Sequence, residues 1–122
     1  MYYILCMDFG EYVRETRERF KEQDKKFSVR QVAMRVGIEP AYLSKIERGQ
    51  FPPPSEETTR RLAAELDLDS DILLAMGGKV SKDLQEVILK RPRLFADLIR
   101  ELKGAPNKAI LRIVREVRDG DW

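Results

Sequence analysis

SVRQVAMRVGIEPAYLSKIERGQ, residues 28–50, holds two short helical patterns separated by a single glycine. Ser28 opens the first, with Gln31 three residues on, the spacing of a reciprocal N-terminal cap. Gly37 stops it, because the left-handed backbone that closes a helix favours a residue without Cβ. Pro40 suits the first turn of the next helix, where its missing N–H costs nothing, and Gly49 ends that helix. Two helices crossing steeply through a tight turn need a small residue at their closest approach and apolar contacts on both sides. Ala33, four residues before Gly37, is that small residue. Val32, Val36 and Ile38 supply one apolar side, Leu43 and Ile46 the other. A lone Ala-x-x-x-Gly would carry little. Here one stretch meets every requirement of a helix-turn-helix together.

A helical wheel at about 100° per residue sorts the faces of the second helix. Leu43 and Ile46 point inward and Glu47 lies at the inner flank. Ala41, Lys45 and Arg48 form the opposite face, with Tyr42 and Ser44 at its borders. An exposed helix with a small residue near its start and cationic, hydrogen-bonding groups beyond it suits the major groove of a duplex. An ordinary solvated helix would leave that set of outward residues to chance.

The rest of the chain reads as helix with short breaks, without internal repeat, strand-like alternation or low-complexity tract. A first helix is expected after Asp8 as N-cap, through FGEYVRETRERFKEQ, with Phe9, Val13 and Phe20 as an apolar stripe and Tyr12 alongside. Asp24 to Phe27 is the break that follows. Phe51-Pro-Pro-Pro54 is an extended connector, since a residue before proline is steered away from helix. Ser55 caps EETTRRLAAEL, whose leading glutamates favour the positive end of the helix dipole. A short fifth helix is expected over about Asp71 to Met76, and Gly77-Gly78 is the candidate boundary. Beyond it lie SKDLQEVILK after Ser81, a segment started by Pro92 and ended by Gly104, and a last one from about Asn107.

Composition narrows the function classes. The 122 residues carry a net charge of only +2, so a blanket polycation is not indicated. Charge is segregated, however: Lys25, Lys26, Arg30, Arg35, Lys45 and Arg48 face only Glu39 and Glu47 between residues 25 and 50. A phosphate backbone would be drawn to that window, although a solvated face is the plainer reading of charge alone. With one cysteine, Cys6, and no histidine, a disulfide framework within the chain is excluded and a zinc site lacks ligands. No Gly-rich phosphate loop precedes a helix and no nucleophile stands beside a base. The Asp and Glu pairs lie on helix exteriors, as solvated carboxylates do. No metal, cofactor or catalysis is expected, and a reducing cytoplasm fits. Residues 1–7, MYYILCM, are apolar but far too short to span a bilayer and lack the basic flank and cleavage site of a signal peptide. They read as an ordered arm or an upstream extension, with Met7 an alternative start.

The stretch SVRQVAMRVGIEPAYLSKIERGQ closely resembles the helix-turn-helix of XRE-type bacterial and phage regulators, the lambda-repressor/Cro-like group. GEYVRETRERF looks like that family's first helix, and PSEETTRRLAAELDLDSDILL like its fourth and fifth. The resemblance covers roughly Phe9 to Met76. It implies an all-α, lambda repressor-like five-helix DNA-binding domain over residues 8–76, with a C-terminal helical extension over 79–122. It further implies that Pro40, Ala41, Tyr42 and Lys45 face bases, while Ser28, Arg30, Ser44 and Arg48 sit nearer phosphates. In related domains an arginine of the first helix pairs with the glutamate of the IE-R/N-G motif, and the matching residues are Arg17 and Glu47. One departure stands out: KEQDKKF, between the first two helices, is longer than the family pattern and either lengthens the first helix or makes a basic loop near the DNA backbone, with Lys25 and Lys26 as weak phosphate candidates.

Past the glycine pair the resemblance thins. Leu84, Val87 and Ile88 fall on one face; Leu94, Phe95, Leu98 and Leu102 form a second stripe, and Ile110, Ile113, Val114 and Val117 a third. These stripes either close over the first domain or, as preferred, make a homodimer. A single small helix-turn-helix reads few base pairs, and each good bidentate contact gives only ~1–3 kcal/mol of discrimination. Two copies related by symmetry would recognise a palindrome with half-sites ~34 Å apart. The leading expectation is a cytoplasmic, sequence-specific binder of double-stranded DNA, a dimeric transcriptional repressor. The alternative is an antitoxin-like or partner-controlled regulator whose C-terminal helices grip another protein. Lys90-Arg91-Pro92-Arg93 is basic but reads as a solvated helix junction.

Overall fold

The computed structural model describes residues 8–122; the apolar segment 1–7, with Cys6, lies outside the described residues. Their elements are α1 (Phe9–Lys21), a 3-10 turn (Lys25–Phe27), α2 (Val29–Val36), α3 (Pro40–Glu47), α4 (Glu56–Glu65), α5 (Ser70–Met76), α6 (Lys82–Lys90), α7 (Pro92–Leu102) and α8 (Asn107–Asp119), with no strand among them. The chain is all-α. It divides into two compact units, the first ending at Ser81 and the second running Lys82–Trp122.

Four of the five α-helices of the first unit start with a side-chain cap that satisfies N–H groups left over at the N-terminus, whereas α3 starts on Pro40 without one. Asp8 accepts from the Glu11 N–H at 2.8 Å, Ser28 from Gln31 at 3.2 Å and Ser55 from Thr58 at 3.3 Å. Asp69 accepts from both Asp71 and Ile72, so α5 begins at Ser70, one residue before the expected start. Only half of the reciprocal cap at Ser28 forms. The Ser28 N–H, which Gln31 would have taken, is donated to Lys25 O at 3.2 Å and closes the 3-10 turn.

Between α2 and α3 the turn runs through Gly37 at φ +89°. Its N–H and that of Ile38 both donate to Ala33 O, at 2.9 and 3.0 Å, and the chain then re-enters helix at Pro40. A side chain at residue 37 would strain that left-handed backbone by ~1–2 kcal/mol. One core forms from Phe9 and Val13 of α1, Val32, Ala33 and Val36 of α2, Leu43 and Ile46 of α3, Leu62 and Ala63 of α4, with Leu66 and Leu73.

Phe20 departs from the expected stripe. It is 37% exposed and stacks on Phe27, ring centroids 4.9 Å apart, while Thr16 and Arg17 fill the last inward positions of α1. Its angle on the wheel is right, but at 1.5 Å per residue it stands roughly 16 Å along the helix from Phe9. The core ends before it does, and the 3-10 turn covers the ring instead.

In the second unit, α7 begins at Pro92 and ends at Leu102, two residues before Gly104. None of the residues of α6, α7 or α8 is buried. Leu94, Ile99 and Val117 are each more than half exposed, and Trp122 folds back so that its indole N–H donates to Val117 O at 3.1 Å.

Gly10 marks the closest approach between α1 and the end of α3, because a Cβ there would run into the carbonyl oxygens of Ile46 and Glu47. Gly10→Ala is expected to lower stability by about 1–3 kcal/mol through overpacking, despite alanine's better helix propensity. Urea unfolding of the two proteins measures it; an alanine variant as stable as the parent would show that α1 can draw back freely.

Candidate nucleic-acid interface

An eight-residue helix such as α3 holds little shape of its own, since isolated helices below about 12–15 residues are marginal in water. Its orientation comes from what its inner face meets. Leu43 and Ile46 are sealed in the core. Glu47, one residue beyond Ile46, is 5% exposed and accepts two bonds from Arg17 of α1: Nε to Oε2 at 2.8 Å and Nη2 to Oε1 at 2.9 Å. The rest of the guanidinium is also engaged, Nη1 with Phe27 O at 3.1 Å and Nη2 with Glu18 at 3.0 Å. Burial works to lower the Arg17 pKa, but the hydrogen bond and charge of Glu47, with those of Glu18, raise it above the ordinary arginine value. Arg17 therefore stays charged. One bidentate pair locks the rotation of α3 about its axis.

With that rotation set, Pro40, Ala41 and Arg48 are exposed, and Tyr42, Ser44 and Lys45 are half-buried. Tyr42 packs one side of its ring against the core cluster. Lys45 lies on the outer face, as the wheel has it, but beneath a neighbour: its Nζ stands 5.1 Å from the centroid of Phe51. Tyr42 meets the same phenyl ring at 5.8 Å, tilted by 52°. At the start of α2, Ser28 is half-buried with its hydroxyl used as the cap, and Arg30 is exposed. Lys25 and Lys26 are exposed on the preceding turn.

Not every cation of the basic window is free for an external anion. Arg35 donates from Nε to Glu65 at 2.6 Å and lies over the Phe27 ring at 5.3 Å. It ties α2 to α4. Three positions escaped the reading of the sequence. Gly10 carried no local sign, because the atoms that forbid a side chain there belong to residues 46 and 47. Phe27 passed as part of a loop, yet it holds Phe20 and Arg35 on its ring and Arg17 on its carbonyl. Phe51 passed as the head of a proline connector; a large apolar residue just after a helix-ending glycine was the available signal.

The helix-turn-helix domain family matches residues 8–75, more than half of the chain. An uncharacterized HTH-type transcriptional regulator of Bacillus subtilis (strain 168), RghRB, is 34% identical over 79 residues, which make up 65% of this chain and 53% of that protein. The chain thus spans about half the length of the curated relative it matches. No solved structure matches it.

The pair beneath α3 is testable apart from any ligand. Glu47→Ala leaves the buried Arg17 without its main partner and is expected to cost about 3–5 kcal/mol in urea unfolding. A loss under ~1 kcal/mol would mean that the guanidinium finds water or another acceptor at little penalty.

Proposed function

Because the chain belongs to the helix-turn-helix domain family, we propose that it binds double-stranded DNA in a sequence-specific manner and acts as a dimeric transcriptional repressor of the XRE type. The observation that carries this reading is the set of α3. Its inner side is fixed by Leu43, Ile46 and the Glu47–Arg17 pair, and its outer side offers Pro40, Ala41, Tyr42 and Lys45 together. In the major groove, exposed Pro40 and Ala41 allow close approach, while Lys45 and the Tyr42 hydroxyl reach base edges. Ser28, Arg30, Ser44 and Arg48 serve the phosphates on either side, and Lys25 and Lys26 add weaker contacts. Phosphate contacts supply most of the affinity and make it fall steeply with salt.

In this reading residues 8–76 are the DNA-binding domain, and 79–122 join two copies so that a palindrome is read. The protein needs no cofactor, represses by occluding a promoter, and works in the cytoplasm where the DNA lies. No helix among the described residues is long and apolar enough to cross a membrane. A second reading draws on the exposed Leu94, Leu98, Val114 and Val117: those helices grip another protein, which controls release from DNA, as in an antitoxin.

Selection from a random DNA pool supplies the operator for two tests. Lys45→Ala is expected to lose about 1–3 kcal/mol of discrimination at one base pair, whereas Arg48→Ala weakens all sequences alike and lowers the salt slope by about 1. Unchanged binding in both variants would remove this face of α3 from the duplex. Sedimentation of the full chain, free and on its operator, is expected to show a dimer. A monomer in both conditions overturns the dimer and leaves the partner reading standing.

A further inference from the structure

Phe51 lies outside every helix, 43% exposed, between the glycine that follows α3 and three prolines. It is no part of the core cluster. Its place is nevertheless fixed from both sides. Gly49 turns the chain at φ +74°, and the N–H groups of Gln50 and Phe51 both donate to Lys45 O, at 2.8 and 3.3 Å. That pattern folds the backbone over the last turn of α3. Pro52 then steers Phe51 away from helical backbone. The ring arrives 5.1 Å from Lys45 Nζ, with the Tyr42 ring against it at 5.8 Å. A residue that packs no core but holds the ammonium and the phenol of the outer face calls for a role on that face.

We propose that Phe51 is a positioning residue that holds the Lys45 ammonium in place before DNA arrives and so sharpens base discrimination by α3. The proposal rests on the reading that α3 enters the major groove. A lysine has a long flexible stem and three rotatable donors. Left mobile, it finds some acceptor on almost any base pair, or a phosphate, and discriminates little. Held over a ring, it keeps N–H donors free on the side away from the ring and reaches a limited arc of the groove. A wrong base then leaves both the donor and the base edge unpaired, which is the source of strong selectivity. The attraction of an ammonium to an aromatic face is strong enough at an exposed site to bias such a side chain by about two- to five-fold.

The experiment uses the full chain with Phe51→Leu, which keeps apolar bulk without the ring, and Phe51→Trp, which keeps the ring. In the free protein, the Lys45 side-chain CH2 protons next to the ammonium are expected to be shifted upfield by the ring in the parent and in Phe51→Trp, and to return to ordinary values in Phe51→Leu. On the selected operator, Phe51→Leu should lower discrimination about two- to five-fold at the base pair that Lys45→Ala affects. Phe51→Trp should preserve that discrimination, and Phe51→Leu combined with Lys45→Ala should be no worse than Lys45→Ala alone. Undiminished discrimination in Phe51→Leu, or losses that simply add in the double variant, would overturn the proposal, the latter by making Phe51 an independent contact. If Lys45→Ala itself leaves discrimination intact, the groove reading of α3 fails and the proposal with it.

Discussion

The bidentate contact between Arg17 and Glu47 is the constraint on which the outer surface of the first unit depends. Apolar burial is non-directional, so Leu43 and Ile46 keep α3 against the core but leave its rotation loosely specified. Two parallel N–H to oxygen bonds between planar groups admit one orientation. The residues of α3 that face outward are thus chosen at its inner edge. Burying an ion pair is costly, and an apolar pair of equal volume is often as stable or more so. The contribution of Arg17 and Glu47 is therefore better sought in geometry than in net stability. Gly10 acts in the same direction by letting α1 reach the carbonyl oxygens at the end of α3.

The same guanidinium ties down the end of the connection between α1 and α2. Phe27 O accepts from Arg17, and the Phe27 ring carries Phe20 on one contact and Arg35 on another. Arg35 in turn pairs with Glu65 of α4. Phe27, the last residue before the cap of α2, is thus built into the brace. The positive character of the basic window is redistributed in the process: Arg35 faces a carboxylate, while Arg30 and Arg48 stay exposed. On α4 the arginines are likewise engaged, Arg60 with Glu56 and Arg61 with Glu57. The count of charges per segment does not say which cations an anion would meet: Arg35 is taken by Glu65, while Glu47 is taken by Arg17, each partner thirty residues away in the chain.

Features whose cause is local were legible in the sequence. Asp8, Ser28 and Ser55 cap because their own oxygen meets an N–H three residues on, and Gly37 turns because its own φ is positive. The faces of α3 followed from its period, and Leu43, Ile46 and Glu47 are buried accordingly. Features whose cause lies elsewhere in the chain were not. A wheel gives the angle of Phe20 but not where the core stops. It gives the outward direction of Lys45 but not the phenyl ring that folds back over it from beyond the helix end. Gln31 has the right spacing for a reciprocal cap, yet the N–H it needed was already taken by a turn that no spacing rule foresees.

The two units differ in physical kind. The first closes a core from five helices, and none of the buried side-chain polar atoms among the described residues lacks a hydrogen-bond partner. The second consists of amphipathic helices with no buried side chain, although Leu94, Leu98, Ile113, Val114 and Val117 offer apolar surface. A unit of about 40 residues sits at the size where a chain rarely stabilises itself without a metal, a disulfide or association. Its six acids of α6 to α8 and its basic residues are spread along helix exteriors, as in the i,i+4 pair Arg112–Glu116, which leaves the apolar stripes undiluted for contact with another surface. Under the proposed function that need is useful. A reading helix of eight residues spans few base pairs, and a second copy on a symmetric site multiplies its discrimination without any new kind of contact. In the proposed dimer, association would cover the apolar stripes of the second unit and extend the short reach of α3.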